Sequence, residues 1–456
     1  MEKLKLLEKY IEKPFVLLIF FIFFLTSINY LYCIIYTSDN FNFHLVDNDG
    51  NYILEKISFE FGRYLDEIIN GKDITLSQFG IDLPTSRRPL LPYTILFIFK
   101  YLSSNFILLH LIKNLFFGLI IYSIIKNFKA NYNHLFLAIC LMLIFYNPHN
   151  AFTNLGTENE EGILNYLMII LFFLLISEYK YKSIYLTITL CLIFLLKGSM
   201  FLMVSFLPII FIFLEKKSKF KYLPLIIIIL LNLIWGYHAK QMSGFFAIGP
   251  KGSAVNSINL ATITHKYFNT TYPKIRPDIH RDLVEKIIIE KNIKTEHELI
   301  NNLLTNSIKF IKDNPLDYSI GVLKKIYVLN FSPFKDAQYP KDSDKYLDNM
   351  YKDKLELNEK INNPIRLSNI PNKIIFNVSL ILLLISLINF KKNSKYLNKL
   401  NLYYLSTLAF YLAPYMFAWI YPRHATSIYM IAHFYIMLYL IEKKIFSFNK
   451  IFLKAN

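Results

Sequence analysis

The chain is poor in the residues that build phosphate-gripping loops and covalent staples. With 13 glycines in 456 residues it has no glycine-rich phosphate loop, so a nucleotide-binding fold is not expected. Cys33, Cys140 and Cys191 are its three cysteines, and each lies inside an apolar run. They have no metal-ligand spacing and suggest no disulfide framework, which leaves them as packing residues. Zinc spacing is missing, as is a Ser/His/Asp nucleophile pattern. No internal repeat, low-complexity tract or separate soluble domain stands out.

What is abundant is apolar. Hydrophobic residues make up 54% of the chain, with 41 phenylalanines and 33 tyrosines, and they gather in recurring long runs. Runs near 20 residues match the ~30 Å hydrocarbon thickness of a bilayer. The net charge of +17 would suit a nucleic-acid partner, but much of the lysine excess sits in short loops between apolar runs. That is the positive-inside pattern of a membrane protein, so no nucleic acid is expected. The first run, 15–36, follows four lysines and has no small-residue cleavage site after it, so it reads as a retained helix.

Lysines then orient the chain. Six segments (1–14, 126–133, around Lys180 and Lys182, 216–221, 391–399 and 443–454) carry them and are expected on the cytoplasmic side. About ten helices satisfy this, at 15–36, 106–125, 134–147, 162–178, 183–197, 199–214, 222–242, 373–390, 400–420 and 424–441, with both termini inside. The 13-residue run 90–102 is short for a span and is expected as a re-entrant or interfacial helix. Residues 37–89 and 243–371 fall outside as long loops, with short ones at 148–161, near 198 and at 421–424. Residues 53–68 have helical spacing of apolar positions, as in a helix lying on the membrane surface. Helical stretches are also expected near 280–291 and 296–312, with another following Pro315. The organisation is therefore 1–242 as a transmembrane module, 243–371 as an extracytoplasmic helical region and 372–456 as C-terminal transmembrane helices.

Five polar strings lie at the outer ends of these helices. VDNDGNY places Asp47 and Asp49 at the start of the surface helix, either as N-caps or as a general base. SRRPLLPY offers Arg88 as an interfacial anchor or a phosphate contact. Lys197 interrupts LLKGSMF, where a lysine either snorkels or meets a lipid phosphate. TENEEG puts Glu158 and Glu161 three apart on one helix face. They either favour a helix N-terminus, orient an acceptor or bind a divalent cation through oxygen. The fifth is Tyr421-Pro422-Arg423-His424.

In order and placement these strings resemble those of the GT-C superfamily of polyprenyl-phosphate-sugar-dependent glycosyltransferases, such as the protein O-mannosyltransferases and lipid A aminoarabinose transferases. The resemblance runs from the first helix to the last. Asp49-Gly50-Asn51-Tyr52 is similar to the family's Asp three residues before a Tyr, and Arg88-Pro89 to its Arg-Pro string. Thr157-Glu158, with Glu161 as second choice, matches its acidic helix start, Lys197 its mid-chain basic residue, and Arg423 its late basic string. Trp235 and Gly244 keep the spacing that opens the large outer loop, but His238 and Ala239 stand where Arg-Asn is expected, with Lys240 following. Residues 312–318, KDNPLDY, resemble the family's helix-Asn-Pro-helix surface element.

The resemblance implies a GT-C-like all-α bundle with its active site facing the exterior or periplasm of a bacterial plasma membrane. The donor would be a polyprenyl-phosphate sugar and the acceptor a hydroxyl of a lipid, glycan or protein. Asp49 would act as base, with Asp47 beside it, and Arg88, Lys197, Arg423, His238 and Lys240 would face the donor phosphate. The alternatives are a polytopic transporter or flippase, a polysaccharide polymerase or ligase, and a non-catalytic scaffold.

Overall fold

The computed structural model describes residues 115, 159–177, 181–215, 218, 220–244, 246, 287–316, 318–320, 322–323, 364–417 and 426–443. The described residues are helical, with no strand among them. The expected helices at 15–36, 106–125 and 134–147, the run 90–102 and the surface helix at 53–68 lie outside them, apart from the single helical residue Leu115.

The order is α1 (Asn159–Ile176), α2 (Lys182–Leu196), α3 (Phe201–Leu214), α4 (Leu223–Ser243), α5 (Glu296–Asp313), α6 (Pro364–Ile388), α7 (Lys395–Phe417) and α8 (Thr426–Glu442). Seven of these, all but α5, correspond to expected apolar helices. Two differ in detail. Residues 198–200 form a 3-10 turn, so α3 starts at Phe201. Helix α6 starts at Pro364, inside what the sequence assigned to the outer loop.

Helix α1 is buried continuously from Leu164 to Ser177 and forms the centre of the bundle. Around it pack α2, α7 and α8; α3 lies against α2, α4 and α7, and α6 against α7 and α8. Aromatic edges fill these seams. Phe173 meets Phe434 at 4.8 Å between ring centroids, Phe172 meets Tyr404 at 6.2 Å, and Phe206 stacks on Phe410 at 5.4 Å. Such pairs add about 0.5–1.5 kcal/mol beyond the area they bury.

A polar thread joins the last three helices. Tyr435 donates to Asn401 Oδ1 at 2.8 Å, and Asn401 Nδ2 donates to Ser386 Oγ at 2.7 Å. Tyr404 stacks on Tyr435 at 4.1 Å and shares a 2.6 Å hydrogen bond with Ser379. A buried amide costs about 1–3 kcal/mol if left unpaired, so these bonds fix which faces of α6, α7 and α8 meet.

The outward faces are apolar as well. On α4, Ile226, Ile229, Leu230, Leu233 and Ile234 are exposed; on α6, Ile374, Ile381, Leu384 and Ile388 are. A helix facing water on one side carries polar residues there, and these do not. The 19-residue stretch Leu223–Gln241 is long and apolar enough to cross a membrane, with only 28% of it buried in the bundle. Five shorter apolar helices accompany it, including Gly198–Leu214 and Asn372–Ile388.

Helix α5 is of another kind. Thr295 and Glu298 form a capping box at its start, with Thr295 Oγ1 accepting from the Glu298 N–H at 3.3 Å. Leu299, Ile300 and Leu303 are buried along one face, while Asn301, Thr305 and Lys309 are exposed. The chain then runs helix, Asn314, Pro315, helix as the sequence suggested, with the Tyr318 N–H donating to the Asn314 carbonyl at 3.1 Å.

Candidate functional site

The two ends of the bundle differ in chemistry. At one end the linkers after α1, α3 and α6 converge with the end of α8. Lys182 Nζ lies 2.6 Å from Glu215, and Lys399 binds the other oxygen of the same carboxylate. Tyr403 donates to Glu215 at 3.3 Å, and Lys182 also donates to the Ser177 carbonyl at 3.0 Å. Ser183 and Ser218 share a bond of 2.9 Å. Ser394 donates to Glu442 at 2.5 Å and Lys443 to Asn393 at 3.1 Å. The described parts of four of the six segments that lysine counting placed on one side, around Lys182, 216–221, 391–399 and Lys443, lie together at one end. The signal for Glu215 was visible: it is the sole acid at the head of EKKSKFK, where the apolar run stops.

The opposite end gathers what can be described of the candidate strings. Ser427, in the first turn of α8, donates to Asn165 on α1 at 2.5 Å, and both side chains are buried. Asn165 follows Glu161 by four residues, and Ser427 follows Arg423 by four. The bond therefore ties together the helix starts that TENEEG and YPRH lead into. Glu161 lies in the first turn of α1. Asp47, Asp49, Arg88, Glu158 and Arg423 lie outside the described residues.

Lys197 sits in the break between α2 and α3. Its backbone is extended (φ −144°), its N–H closes α2 on the Ile193 carbonyl, and its own carbonyl accepts from the Met200 N–H at 3.1 Å. With 8% of its surface exposed, it is held within the bundle and is not spread over the outside. Antiparallel packing of α1 and α2 puts this break at the same end as Glu161.

Helix α4 ends there too, at Gly244 in the left-handed region (φ 73°), a conformation that glycine adopts at little cost. Trp235 is buried and its ring lies 5.2 Å from that of half-buried His238. Lys240 is exposed, and its carbonyl accepts from the Gly244 N–H at 3.0 Å. Ala239 is fully buried. Position 239 thus serves packing, and an amide there would need a buried partner. Of the basic candidates read from the sequence, Lys197, His238 and Lys240 lie at this end.

One buried pair was not singled out from sequence. His433 Nε2 and Asn372 Oδ1 lie 3.0 Å apart between α8 and α6. A lone histidine in MIAHFYIM carries no spacing signal, and its partner is 61 residues away. Among the described residues, no group of three or more His, Cys, Asp or Glu side chains is placed to hold a metal ion. The chain matches no family model, and neither a curated protein nor a solved structure matches it.

Proposed function

We propose that this chain is a polytopic membrane glycosyltransferase that moves a sugar from a polyprenyl-phosphate donor to a hydroxyl group on the extracytoplasmic face, with inversion. Membrane placement is supported by the apolar outward faces of α4 and α6, which suit lipid and would be costly in water. Together with the runs 15–36, 106–125 and 134–147, the seven apolar helices make ten spans. The lysine-rich end then faces the cytoplasm and the Lys197 end faces outward.

The observation that carries the activity is the Asn165–Ser427 bond. It ties the helix behind Glu161 to the helix behind Arg423, at the end where Lys197 and His238 lie. Two helix starts that follow an acidic and a basic string in the sequence, joined at one end of the bundle, suit a reaction between a hydroxyl acceptor and a lipid phosphate.

In this reading Asp49 takes the proton of the acceptor hydroxyl. The freed oxygen attacks the anomeric carbon from the face opposite the phosphate. The bond from that carbon to the phosphate oxygen breaks, and the polyprenyl phosphate leaves with the electron pair. Arg88, Lys197 and Arg423, with His238 or Lys240, stabilise the charge that develops on it. Asp49 starts as a weak base, with an ordinary pKa of about 3.9, and a partly desolvated site strengthens it. Glu158 and Glu161 orient the acceptor or hold a divalent cation. No nucleotide site is required.

Asp49→Asn is the test. The variant is expected to reach the membrane at the normal level while cells accumulate the lipid-linked sugar and lose it from one glycan, glycolipid or glycoprotein. Undiminished transfer would overturn the assignment of the base. A transporter is the second reading, favoured by the buried Asn372–His433 pair inside the helices. Unchanged glycans with altered solute uptake on deletion would decide for it. A polymerase or ligase would instead shorten or detach a polysaccharide.

A further inference from the structure

The turn between α6 and α7 is a hydrogen-bonded scaffold carrying lysines that no carboxylate among the described residues answers. Asn393 Nδ2 donates to the Ser386 carbonyl at 2.7 Å and to its Oγ at 3.0 Å, and Asn398 Nδ2 donates to the Phe390 carbonyl at 2.9 Å. Ser394 caps α7 through the Leu397 N–H and also holds Glu442, while Lys443 holds Asn393. The backbone of 389–395 is thereby fixed from several sides, yet Lys391, Lys392 and Lys395 are exposed.

The acids described at this end, Glu215 and Glu442, are already engaged. Glu215 is shared by Lys182 and Lys399, and Glu442 is held by Ser394. Among the described residues no carboxylate pairs with Lys391, Lys392 or Lys395. Beside them Ile388 is 77% exposed and Phe390 is 40% exposed. Cations on a fixed turn, bordered by exposed apolar side chains, fit one kind of ligand, an anionic head on a hydrocarbon tail.

We propose that this turn binds an acidic phospholipid of the leaflet it faces. The lysines take the headgroup phosphate, and Ile388 and Phe390 lie against the first segments of the acyl chains. A tail-less phosphate would leave both apolar side chains in water. The inference rests on the membrane placement proposed above and is independent of sugar transfer.

The test uses the full chain reconstituted in phosphatidylcholine vesicles, with spin-labelled phosphatidylglycerol or spin-labelled phosphatidylcholine as the reporter. Phosphatidylglycerol is expected to show the larger immobilised fraction. Each lysine removed is expected to lower that preference about fivefold at low salt, the factor equivalent to about 1 kcal/mol per basic residue near an anionic surface. Lys391→Gln/Lys392→Gln/Lys395→Gln should therefore abolish it, and Lys312→Gln on α5 should leave it intact. Equal immobilisation of the two lipids by the unaltered protein would overturn the proposal, as would an undiminished preference in the triple variant. Should that variant fail to insert, salt decides on the unaltered protein: at about 1 M the attraction is screened within about 3 Å, and a preference that persists in full refutes the lysine contacts. Failure of the membrane reading looks different, because the protein would then immobilise neither lipid.

Discussion

Replacing Glu215 by Gln tests how the lysine-rich end is held together. The substitution keeps the shape and one acceptor oxygen, so Tyr403 retains a partner. What it removes is the charge that two cations share, Lys182 at 2.6 Å and Lys399 on the other oxygen. The side chains are 7%, 20% and 11% exposed for Lys182, Lys399 and Glu215, so water can compensate only in part. Breaking a buried pair costs about 3–5 kcal/mol. Because Lys399 reaches solvent, the low end, about 3 kcal/mol, is expected here. The measurement is reversible unfolding of the full chain in mixed micelles, followed by circular dichroism. Glu215→Gln/Lys399→Gln removes one of the stranded cations and should recover about 1–2 kcal/mol of the loss. Tyr403→Phe removes one neutral donor and should cost about 1 kcal/mol. If Glu215→Gln costs no more than Tyr403→Phe, or the double variant recovers nothing, the three loops are not joined through this carboxylate.

Two further outcomes follow from single contacts. Ser427→Ala deletes the donor to Asn165 and should cost about 0.6–1.7 kcal/mol in the same micelle assay, the range of interhelical polar bonds in membranes; a neutral effect would mean the two helix starts are not tied there. Glu298 has its carboxyl held below the ordinary range, first by the Lys294 N–H and then by the Thr295 N–H. A lowered folded value means the cap stabilises α5 above the ordinary glutamate range and loses that contribution as pH falls through the lowered value. Amide exchange in the first turn of α5 should therefore rise on acidification beyond the intrinsic pH trend, and Glu298→Gln should remove that rise.

The positions of the seven described apolar helices were legible because a helix that is apolar all round announces itself by its apolar run. Lysine-bearing linkers at Lys182, Lys399 and Lys443 lie at one end, in keeping with the side that lysine placement assigned them. The helix at 296–312 and the break at Asn314-Pro315 are local signals and were equally readable. Pairings between helices were not. Asn165 and Ser427 are 262 residues apart, and neither side chain has a periodicity that names its partner. The early start of α6 was hidden because PIRLSNIP is polar and carries two prolines, which argue against a helix interior. The 3-10 turn at 198–200 depends on how Lys197 is accommodated between two packed helices, and no local rule encodes that. Of the candidate site, Lys197, His238 and Lys240 could be placed at one end with the start of α1, whereas the proposed base stands on its sequence string.

The thread through Ser386, Asn401 and Tyr435 bears on how the chain would be assembled. An α7 entering lipid by itself would carry the Asn401 amide unsatisfied in hydrocarbon. Pairing with α6 answers its Nδ2 through Ser386, but its Oδ1 waits for Tyr435 on α8. On the membrane placement proposed above, the last three helices would therefore mature together, with α7 held at the translocation channel or against α6 until α8 emerges. A nascent chain stopped between residues 417 and 426 would present a half-paired hairpin, the kind of product that membrane quality-control proteases remove.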